Sequence, residues 1–325
     1  MKDTKTASPV RAVILDGATL GDDISFASIE NCTDLTVYQC TSPAEVADRI
    51  SDAEVVIVNK IKLNEKNLAG TRNLRLICVA ATGYDNIDLS YCRSRRIGVC
   101  NVLGYSTDSV AQLTVALVLQ LVFRLDAFTE FVRNGSYTAS GVANRLYPAF
   151  HELAGKTWGI VGAGNIGKKV ARIAEAFGCR VIVCRRREDP DYPTVDIDTL
   201  CRESDVITVH TPLNDATRGL ISKERIAMMK PSAVFVNVAR GAVTDEAALA
   251  EAVRDGKLGG IGIDVYTEEP LPTTNPLYAV RGLPNVCLTP HMAWGAVESR
   301  QRCIDEIAEN IRAFFAGEIR CRVEL

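Results

Sequence analysis

Residues 157–178, TWGIVGAGNIGKKVARIAEAFG, carry the strongest structural signal in the sequence. An apolar strand pattern, Thr157–Val161, runs directly into the motif Gly162-x-Gly164-x-x-Gly167, and a helical pattern follows at once. In this setting the first glycine permits a tight turn, the second lets the backbone approach a pyrophosphate, and the third lets the helix pack on the strand. The helix N-terminus offers N–H groups to the phosphates. The stretch therefore predicts a dinucleotide-binding unit, and the alternative is a glycine-rich structural turn.

Short apolar runs alternate with helical patterns on both sides of this unit. The runs predicted as strands are Val10–Leu15, Val55–Asn59, Leu74–Ala80, Ile97–Asn101, Thr157–Val161, Arg180–Cys184, Val206–His210, Ala233–Val238 and Gly259–Val265. The clearest helical patterns are Ala44–Ile50, Lys168–Phe177 and Glu246–Asp255. Continuously apolar strands are typical of sheets buried on both faces, and strand–helix alternation is typical of parallel sheets. The sequence predicts an α/β fold with two doubly wound, Rossmann-like parallel sheets.

The predicted elements form two series, and a length of 325 residues also favours two domains. One series ends near residue 104, and the other runs from 105 to 292, beginning with a long helix. A last helical pattern, Val297–Ala316, follows the completed second series. We expect it to return to the first domain, which gives one domain of residues 1–104 plus 293–325 and another of 105–292. Ligands are expected in a cleft between the two domains.

The composition is that of an ordinary globular protein, with 47% hydrophobic residues, 24% charged residues and a net charge of −3. This balance argues against general binding to nucleic acid or to an anionic membrane. The most apolar run, Val110–Leu125, is too short and too often interrupted by polar residues to span a bilayer. The N-terminus does not have the pattern of a secretory signal. Eleven cysteines without a C-x-x-C pair predict buried free thiols, no metal site and a cytoplasmic protein.

Seven further segments occur in a characteristic order. They are VILDGATL (13–20), VNKIKLNEKNL (58–68), VAATGYDNID (79–88), NVLGYSTDSVAQLTVALVL (101–119), VNVARGAVTDEAAL (236–249), GIDVYTEEPLP (262–272) and LTPHMAW (288–294). Over nearly the whole chain this order resembles the D-isomer-specific 2-hydroxyacid dehydrogenase family. The first four segments are similar to its glycerate dehydrogenase, or hydroxypyruvate reductase, branch. The resemblance implies a substrate-binding domain at 1–104 plus 293–325 and a dinucleotide-binding domain at 105–292.

The resemblance implies three catalytic residues. Arg240, in the ARG motif, would bind the substrate carboxylate and polarise the keto oxygen. Glu269, directly before Pro270, would pair with a histidine, although Glu268 is an adjacent competitor. His291 would be the general acid in reduction and the general base in oxidation. These residue types suit the reaction, because an arginine fork matches a planar carboxylate and a histidine can donate a proton near neutral pH.

Further contacts are predicted for substrate and cofactor. By the resemblance, the loop Ala81-Thr82-Gly83 would present backbone N–H groups to the substrate carboxylate, and a plain turn is the alternative. The candidate cofactor-binding residues, from the glycine loop, the resemblance and the charge pattern after the next strand, are Val110, Gly162, Ala163, Gly164, Asn165, Ile166, Gly167, Arg185, Arg186, His210, Thr211, Pro212, Ala239 and Asp264.

The end of the strand that follows the glycine-loop helix bears on the choice of cofactor. In NAD sites, an acid about 20 residues past the glycine motif accepts hydrogen bonds from the ribose 2′-hydroxyl. Here Arg185 takes that position, and Arg186 and Arg187 follow it. Guanidinium groups attract a 2′-phosphate that a carboxylate would repel, so the sequence favours NADP(H) over NAD(H). The alternative is a solvated loop in which Glu188 or Asp189 recovers the NAD role.

These features predict an NAD(P)-dependent oxidoreductase acting on the CH–OH group of a small anionic 2-hydroxy acid. Reduction of hydroxypyruvate or glyoxylate, with D-glycerate oxidation as the reverse, is the favoured reaction. The alternatives are a D-lactate-type or other 2-hydroxyacid dehydrogenase, and a non-catalytic, corepressor-like nucleotide sensor. The stretch Val110–Val122 is apolar on nearly every side and needs cover all round, so we expect a homodimer, as the resemblance also implies. Burial of this helix within one subunit is the alternative.

Overall fold

The computed structural model describes residues 9–325 and divides them into two compact units. Unit 1 comprises residues 9–106 and 295–325, and unit 2 comprises residues 107–294. Each crossing between the units lies two residues later than the sequence predicts.

The elements are numbered along the chain. The strands are β1 (Arg11–Ile14), β2 (Asp34–Val37), β3 (Val55–Val58), β4 (Leu76–Val79), β5 (Gly98–Cys100), β6 (Thr157–Val161), β7 (Arg180–Cys184), β8 (Val206–Val209), β9 (Val234–Asn237), β10 (Gly260–Ile263) and β11 (Val286–Leu288). The α-helices are α1 (Ala27–Glu30), α2 (Val46–Arg49), α3 (Glu65–Leu68), α4 (Leu89–Ser94), α5 (Thr107–Phe123), α6 (Leu125–Arg133), α7 (Ser136–Ser140), α8 (Asn165–Ala176), α9 (Ile197–Glu203), α10 (Lys223–Met228), α11 (Glu246–Arg254), α12 (Pro276–Val280) and α13 (Val297–Phe315). Short 3-10 helices lie at Gly17–Thr19 and Gly241–Val243.

Unit 1 contains a five-stranded parallel sheet in the order β2-β1-β3-β4-β5. Every residue of β3 and β4 is buried, as their continuously apolar sequences predict. The last helix, α13, packs against α1 and β4 and buries Ile304, Ile307 and Ile311. The C-terminal segment therefore completes the core of unit 1.

Unit 2 contains a six-stranded parallel sheet in the order β11-β10-β9-β8-β6-β7. The chain places β7 on one side of β6 and β8 on the other, so the strand order reverses at β6. In open parallel sheets such a reversal opens a crevice at the carboxyl ends of the strands, where ligands bind. The two parallel sheets confirm the predicted α/β class.

The long helix α5 is covered within unit 2. It packs against α8 and against β9, β10 and β11, and seven of its residues are buried. Burial of this helix within one subunit is the alternative to its burial against a second subunit. The next helix, α6, buries none of its residues. In residues 9–325 no single helix is long and apolar enough to cross a membrane; α5 and α6 meet that criterion only as a pair bent by 65°.

Candidate functional site

The residues predicted from the second half of the sequence follow the carboxyl ends of the strands of unit 2. The glycine loop follows β6, Arg185 and Arg186 follow β7, His210 to Pro212 follow β8, Ala239 and Arg240 follow β9, Asp264 and Glu269 follow β10, and His291 follows β11. Because all six strands are parallel, these residues share one edge of the sheet. The reversal of strand order at β6 places the glycine loop at the crevice of that edge.

Two of the three glycines in the loop, Gly162 and Gly167, occupy positions that a residue with a side chain could not take without strain or overlap. Gly162 has a φ of +96°, which side chains rarely adopt, and a β-carbon there would lie 2.9 Å from the backbone of His210. A β-carbon on Gly167 would overlap with the carbonyl oxygen of Gly162, so α8 lies close against the end of β6. Gly164, in contrast, has open space where its β-carbon would be.

This loop fits the pyrophosphate of a dinucleotide. The open space at Gly164 lies at the N-cap of α8, where the first-turn N–H groups have no partner within the helix. Those groups, with the positive end of the helix dipole, favour an anion. Ala163 and Val110 are buried in one core cluster, and Ile166 packs at its edge. The core thus supports the loop from below and leaves its phosphate side open.

The end of β7 carries exposed positive charge and one buried acid. Arg185 and Arg186 are exposed. The side chain of Asp189 is buried, and it pairs with Arg185 and with Lys168 of α8. The arginine, and not the acid, is therefore presented at the end of this strand.

His210, after β8, has a buried imidazole. Its backbone N–H donates to the carbonyl oxygen of Val161 at 2.7 Å. Both ring nitrogens are buried, and neither has a hydrogen-bond partner within residues 9–325. Burial lowers the pKa of His210 to about 3, so the ring is neutral at neutral pH. Thr211 is half-buried and Pro212 exposed, so this segment is open to a ligand beside the glycine loop.

His291 and Glu269 form a hydrogen-bonded pair. Nδ1 of His291 lies 2.7 Å from one carboxylate oxygen of Glu269, and the other oxygen accepts from the backbone N–H of Tyr266 at 3.1 Å. The indole N–H of Trp294 donates to the carbonyl oxygen of His291 at 3.0 Å. The structure thus places Glu269, rather than the exposed Glu268, against the histidine. A histidine held at Nδ1 by a carboxylate exchanges protons through Nε2.

Asp264 organises the loop that carries this histidine. Its side chain is buried and accepts hydrogen bonds from Oγ1 of Thr289 at 2.6 Å and from the backbone N–H groups of Met292 and Ala293, each at 2.9 Å. His291 has a φ of +53°, in the left-handed region that residues other than glycine rarely adopt. One carboxylate therefore holds three points of a strained loop.

Arg240 follows β9 in a turn that Asn237 fixes. The Asn237 amide donates to the carbonyl oxygen of Arg240 at 2.9 Å, and its oxygen accepts from the N–H of Ala239 at 2.9 Å. The next residue is Gly241, where a β-carbon would overlap with the backbone of Tyr266. The arginine turn therefore packs directly against the segment that leads to the acid of the pair.

In unit 1 the loop Ala81-Thr82-Gly83 follows β4. Oγ1 of Thr82 donates to the carbonyl oxygen of Val102 at 2.9 Å, and the amide of Asn101 donates to the carbonyl oxygen of Thr82 at 2.7 Å. The backbone N–H groups of Thr82 and Gly83 have no acceptor within residues 9–325. A loop fixed through its oxygens and open at its N–H groups is suited to an anion.

Three residues that shape these sites were not predicted from the sequence. Asn237 fixes the arginine turn. Tyr266 holds the acid of the pair and donates its hydroxyl to the carbonyl oxygen of Thr289 at 2.9 Å. Lys168 pairs with Asp189 after β7. Of the three it could most readily have been predicted from the sequence, because a lysine in the first turn after a glycine loop lies near the end of the next strand. The described part of the chain holds no group of three or more His, Cys, Asp and Glu residues that could bind a metal ion.

The chain is similar to known proteins in sequence and in structure. The family model described as D-isomer specific 2-hydroxyacid dehydrogenase, NAD binding domain, matches residues 115–293. Glycerate dehydrogenase from Methylorubrum extorquens is 36% identical over 288 residues, which cover 88% of this chain and 91% of that protein. Hydroxypyruvate reductase from Blautia hydrogenotrophica is 34% identical over 318 residues, covering 95% and 98%. The crystal structure of an NADPH-dependent glyoxylate/hydroxypyruvate reductase from Sinorhizobium meliloti, in complex with NADP and malonate, has a TM-score of 0.84 and 27% identity, covering 97% of each chain.

Proposed function

The chain belongs to the D-isomer-specific 2-hydroxyacid dehydrogenase family, and we propose that it reduces hydroxypyruvate and glyoxylate, with D-glycerate oxidation as a reverse reaction. The observation that carries the proposal is the pair of His291 and Glu269, 2.7 Å apart, on the sheet edge that also bears the glycine loop. A nucleotide site alone would also suit a nucleotide sensor. An acid–base pair on the same edge supports catalysis.

Each catalytic side chain has a role that follows from its chemistry. Arg240 binds the substrate carboxylate, because a guanidinium matches two carboxylate oxygens and stays charged at any working pH. His291 gives a proton to the keto oxygen in reduction and takes it back in oxidation. Glu269 orients the ring through Nδ1 and stabilises the imidazolium. In unit 1, the open N–H groups of Thr82 and Gly83 support an anion-binding role for that loop.

The cofactor is a nicotinamide dinucleotide. When bound, its nicotinamide ring supplies the hydride for reduction and accepts it in oxidation. The first turn of α8 and the open side of Gly164 hold the pyrophosphate. The backbone of His210 packs on Gly162, so the segment after β8 supports the glycine loop from the side.

NADP(H) is proposed as the preferred form. Arg185 stands where an NAD site has an acid, and Arg186 is exposed beside it. Asp189, the alternative acceptor for a ribose hydroxyl, is buried and paired with Arg185. The values of kcat/KM for NADPH and NADH with one keto acid measure this preference, and a clear advantage for NADH would contradict it.

The proposed homodimer rests on the segment 125–150 of unit 2. It has large apolar side chains in solvent, among them Val132, Val142, Leu146 and Tyr147, the last two each 75% exposed. A cavity of about 390 Å³, lined in part by Leu121, Phe150 and Leu258, lies in the same unit. Exposed apolar side chains grouped in one segment mark interaction surfaces. In a two-fold dimer each copy of the chain would present both this segment and the cavity to the other copy.

A cytoplasmic location is proposed from the cysteines. All eleven are free, and several lie in the cores of the two units. Burial raises the pKa of Cys92 to about 11 and that of Cys100 to about 12, so these thiols are held in their unreactive form. Free thiols at this density are typical of a reducing compartment.

A turnover assay with a panel of keto acids tests the proposed reaction. We expect higher kcat/KM for hydroxypyruvate and glyoxylate than for pyruvate, with NADPH as the reductant. A higher kcat/KM for pyruvate would indicate a D-lactate-type enzyme instead. Cofactor binding without turnover of any keto acid would favour the nucleotide sensor.

A further inference from the structure

Four charged side chains form a cluster after β7, beside the glycine loop. The carboxylate of Asp189 pairs with the Arg185 guanidinium and lies 3.4 Å from Nζ of Lys168. It also accepts a hydrogen bond from the backbone N–H of Asp191 at 3.0 Å. The Asp191 carboxylate lies 2.8 Å from the same lysine nitrogen. Since Lys168 directly follows Gly167, the cluster joins the first turn of α8 to the end of β7.

Asp189 is the member of this cluster whose side chain its neighbours cover. Its side chain is fully buried, whereas those of Arg185, Lys168 and Asp191 are partly exposed. Burial acts to raise the pKa of Asp189, but its hydrogen-bond partners outweigh burial and lower that pKa below its ordinary value. The buried carboxylate is therefore ionised at neutral pH, and it offsets the charge of Arg185 more fully than an exposed acid would.

The pair of Arg185 and Asp189 lies where it can affect the binding of a cofactor. Arg185 stands where the ribose 2′ substituent of the adenosine moiety binds in folds of this type. A 2′-phosphate at that place meets a guanidinium whose charge Asp189 already offsets. Both carboxylate oxygens of Asp189 face donors of the chain itself, so in this arrangement the acid is not presented to a ribose hydroxyl.

We propose that Asp189 is a specificity-determining residue: it holds Arg185 beside Lys168 and offsets its charge, which limits the preference for the 2′-phosphorylated cofactor. This inference rests on the proposed use of NADP(H). It concerns how strongly the enzyme prefers NADP(H) over NAD(H). With Asp189 in place, NAD(H) remains a usable cofactor.

Asp189→Asn is the first variant to test, because asparagine keeps the size and one acceptor oxygen but removes the charge. We expect the ratio of kcat/KM for NADPH to that for NADH, measured with hydroxypyruvate, to rise ~3- to 10-fold. The rise should come from a lower KM for NADPH and should shrink in high salt. The matched control is Glu188→Gln, which removes a charge from the adjacent, exposed residue and should change the ratio less than about twofold.

Lys168→Met is a second variant, which keeps the buried carboxylate but removes one of its two cationic partners. It leaves Arg185 as the one cation paired with Asp189, so the ratio should fall below that of the wild type. An unchanged or lower ratio in Asp189→Asn, or an unchanged ratio in Lys168→Met, would overturn the inference. If the wild type favours NADH, only the proposed cofactor preference is contradicted. The role of Asp189 is tested separately, by the change in the kcat/KM ratio of each variant relative to the wild type.

Discussion

The carboxylate of Asp264 accepts the backbone N–H of Ala293 at 2.9 Å, and by this and two further hydrogen bonds it holds the strained loop on which His291 sits. We expect Asp264→Asn to lower kcat about 10- to 100-fold, because an amide nitrogen would face one of the loop's donors and the ring would lose its position. Steady-state kinetics measure the change in kcat, and a fluorescence titration with NADPH measures the affinity for the cofactor.

Thr289→Val is the graded control for that prediction. It removes one of the three hydrogen bonds to Asp264, so its kcat should lie between those of Asp264→Asn and the wild type. Equal kcat for the wild type and Asp264→Asn would show that the loop keeps its shape without the carboxylate.

His291→Ala should lower kcat by ~10²- to 10⁴-fold, because it removes the proposed proton donor. Binding of NADPH should be retained, since the glycine loop is a separate structure on the same sheet edge. Glu268→Gln, an exposed neighbour of the paired acid, should keep full turnover. Near-normal turnover of every keto acid by His291→Ala would mean that the assignment is wrong.

The glycine loop offers a pair of alanine substitutions with opposite outcomes. Gly167→Ala should destabilise the fold by about 1–3 kcal/mol, because its β-carbon would overlap with the backbone of Gly162. Gly164→Ala has open space for its methyl group and should change the free energy of unfolding by less than about 0.5 kcal/mol. It should nevertheless weaken NADPH binding, because that space is the proposed place of the pyrophosphate.

Urea unfolding and a fluorescence titration on both variants separate the two effects. The distinction fails if Gly164→Ala binds NADPH as tightly as the wild type. It also fails if Gly167→Ala unfolds at the wild-type urea concentration.

His210 should make the folded state sensitive to mild acid. Its folded pKa of about 3 lies below the unfolded value of about 6.5, so between these values the unfolded chain binds a proton that the folded chain does not. Stability from this group is therefore lost as the pH falls below about 6.5, by up to ~1.4 kcal/mol per pH unit. Urea unfolding of the wild type and His210→Asn from pH 7 to pH 5 measures it; parallel pH profiles would exclude this role for His210.

In solution we expect a dimer, with a mass near twice the 35.3 kDa of the chain. Replacing both Leu146 and Tyr147 with glutamate should give monomers of unchanged fold, because both side chains are in solvent within one chain. Ile319→Glu, equally exposed but outside the segment 125–150, should stay dimeric. Light scattering at micromolar concentration decides, and a wild-type mass near 35.3 kDa would reject the dimer.

The sequence was sufficient where a feature depends on local chemistry. The glycine motif predicted β6 and the start of α8 because its spacing reflects one turn geometry. The strand β2, Asp34–Val37, was not predicted, since an edge strand that is half exposed lacks the continuous apolar run of its neighbours. The pairing of Asp189 with Arg185 and Lys168 was also beyond the sequence, because it depends on which face of a turn is buried.

The position of α13 after unit 2 in the chain has a consequence for biosynthesis. On the ribosome, residues 107–294 emerge complete before α13 does, so unit 2 can fold while unit 1 still lacks the helix that covers β4. Until then the side of β4 that α13 covers is open to solvent. Unit 1 therefore begins before unit 2 in the chain and is completed only after it.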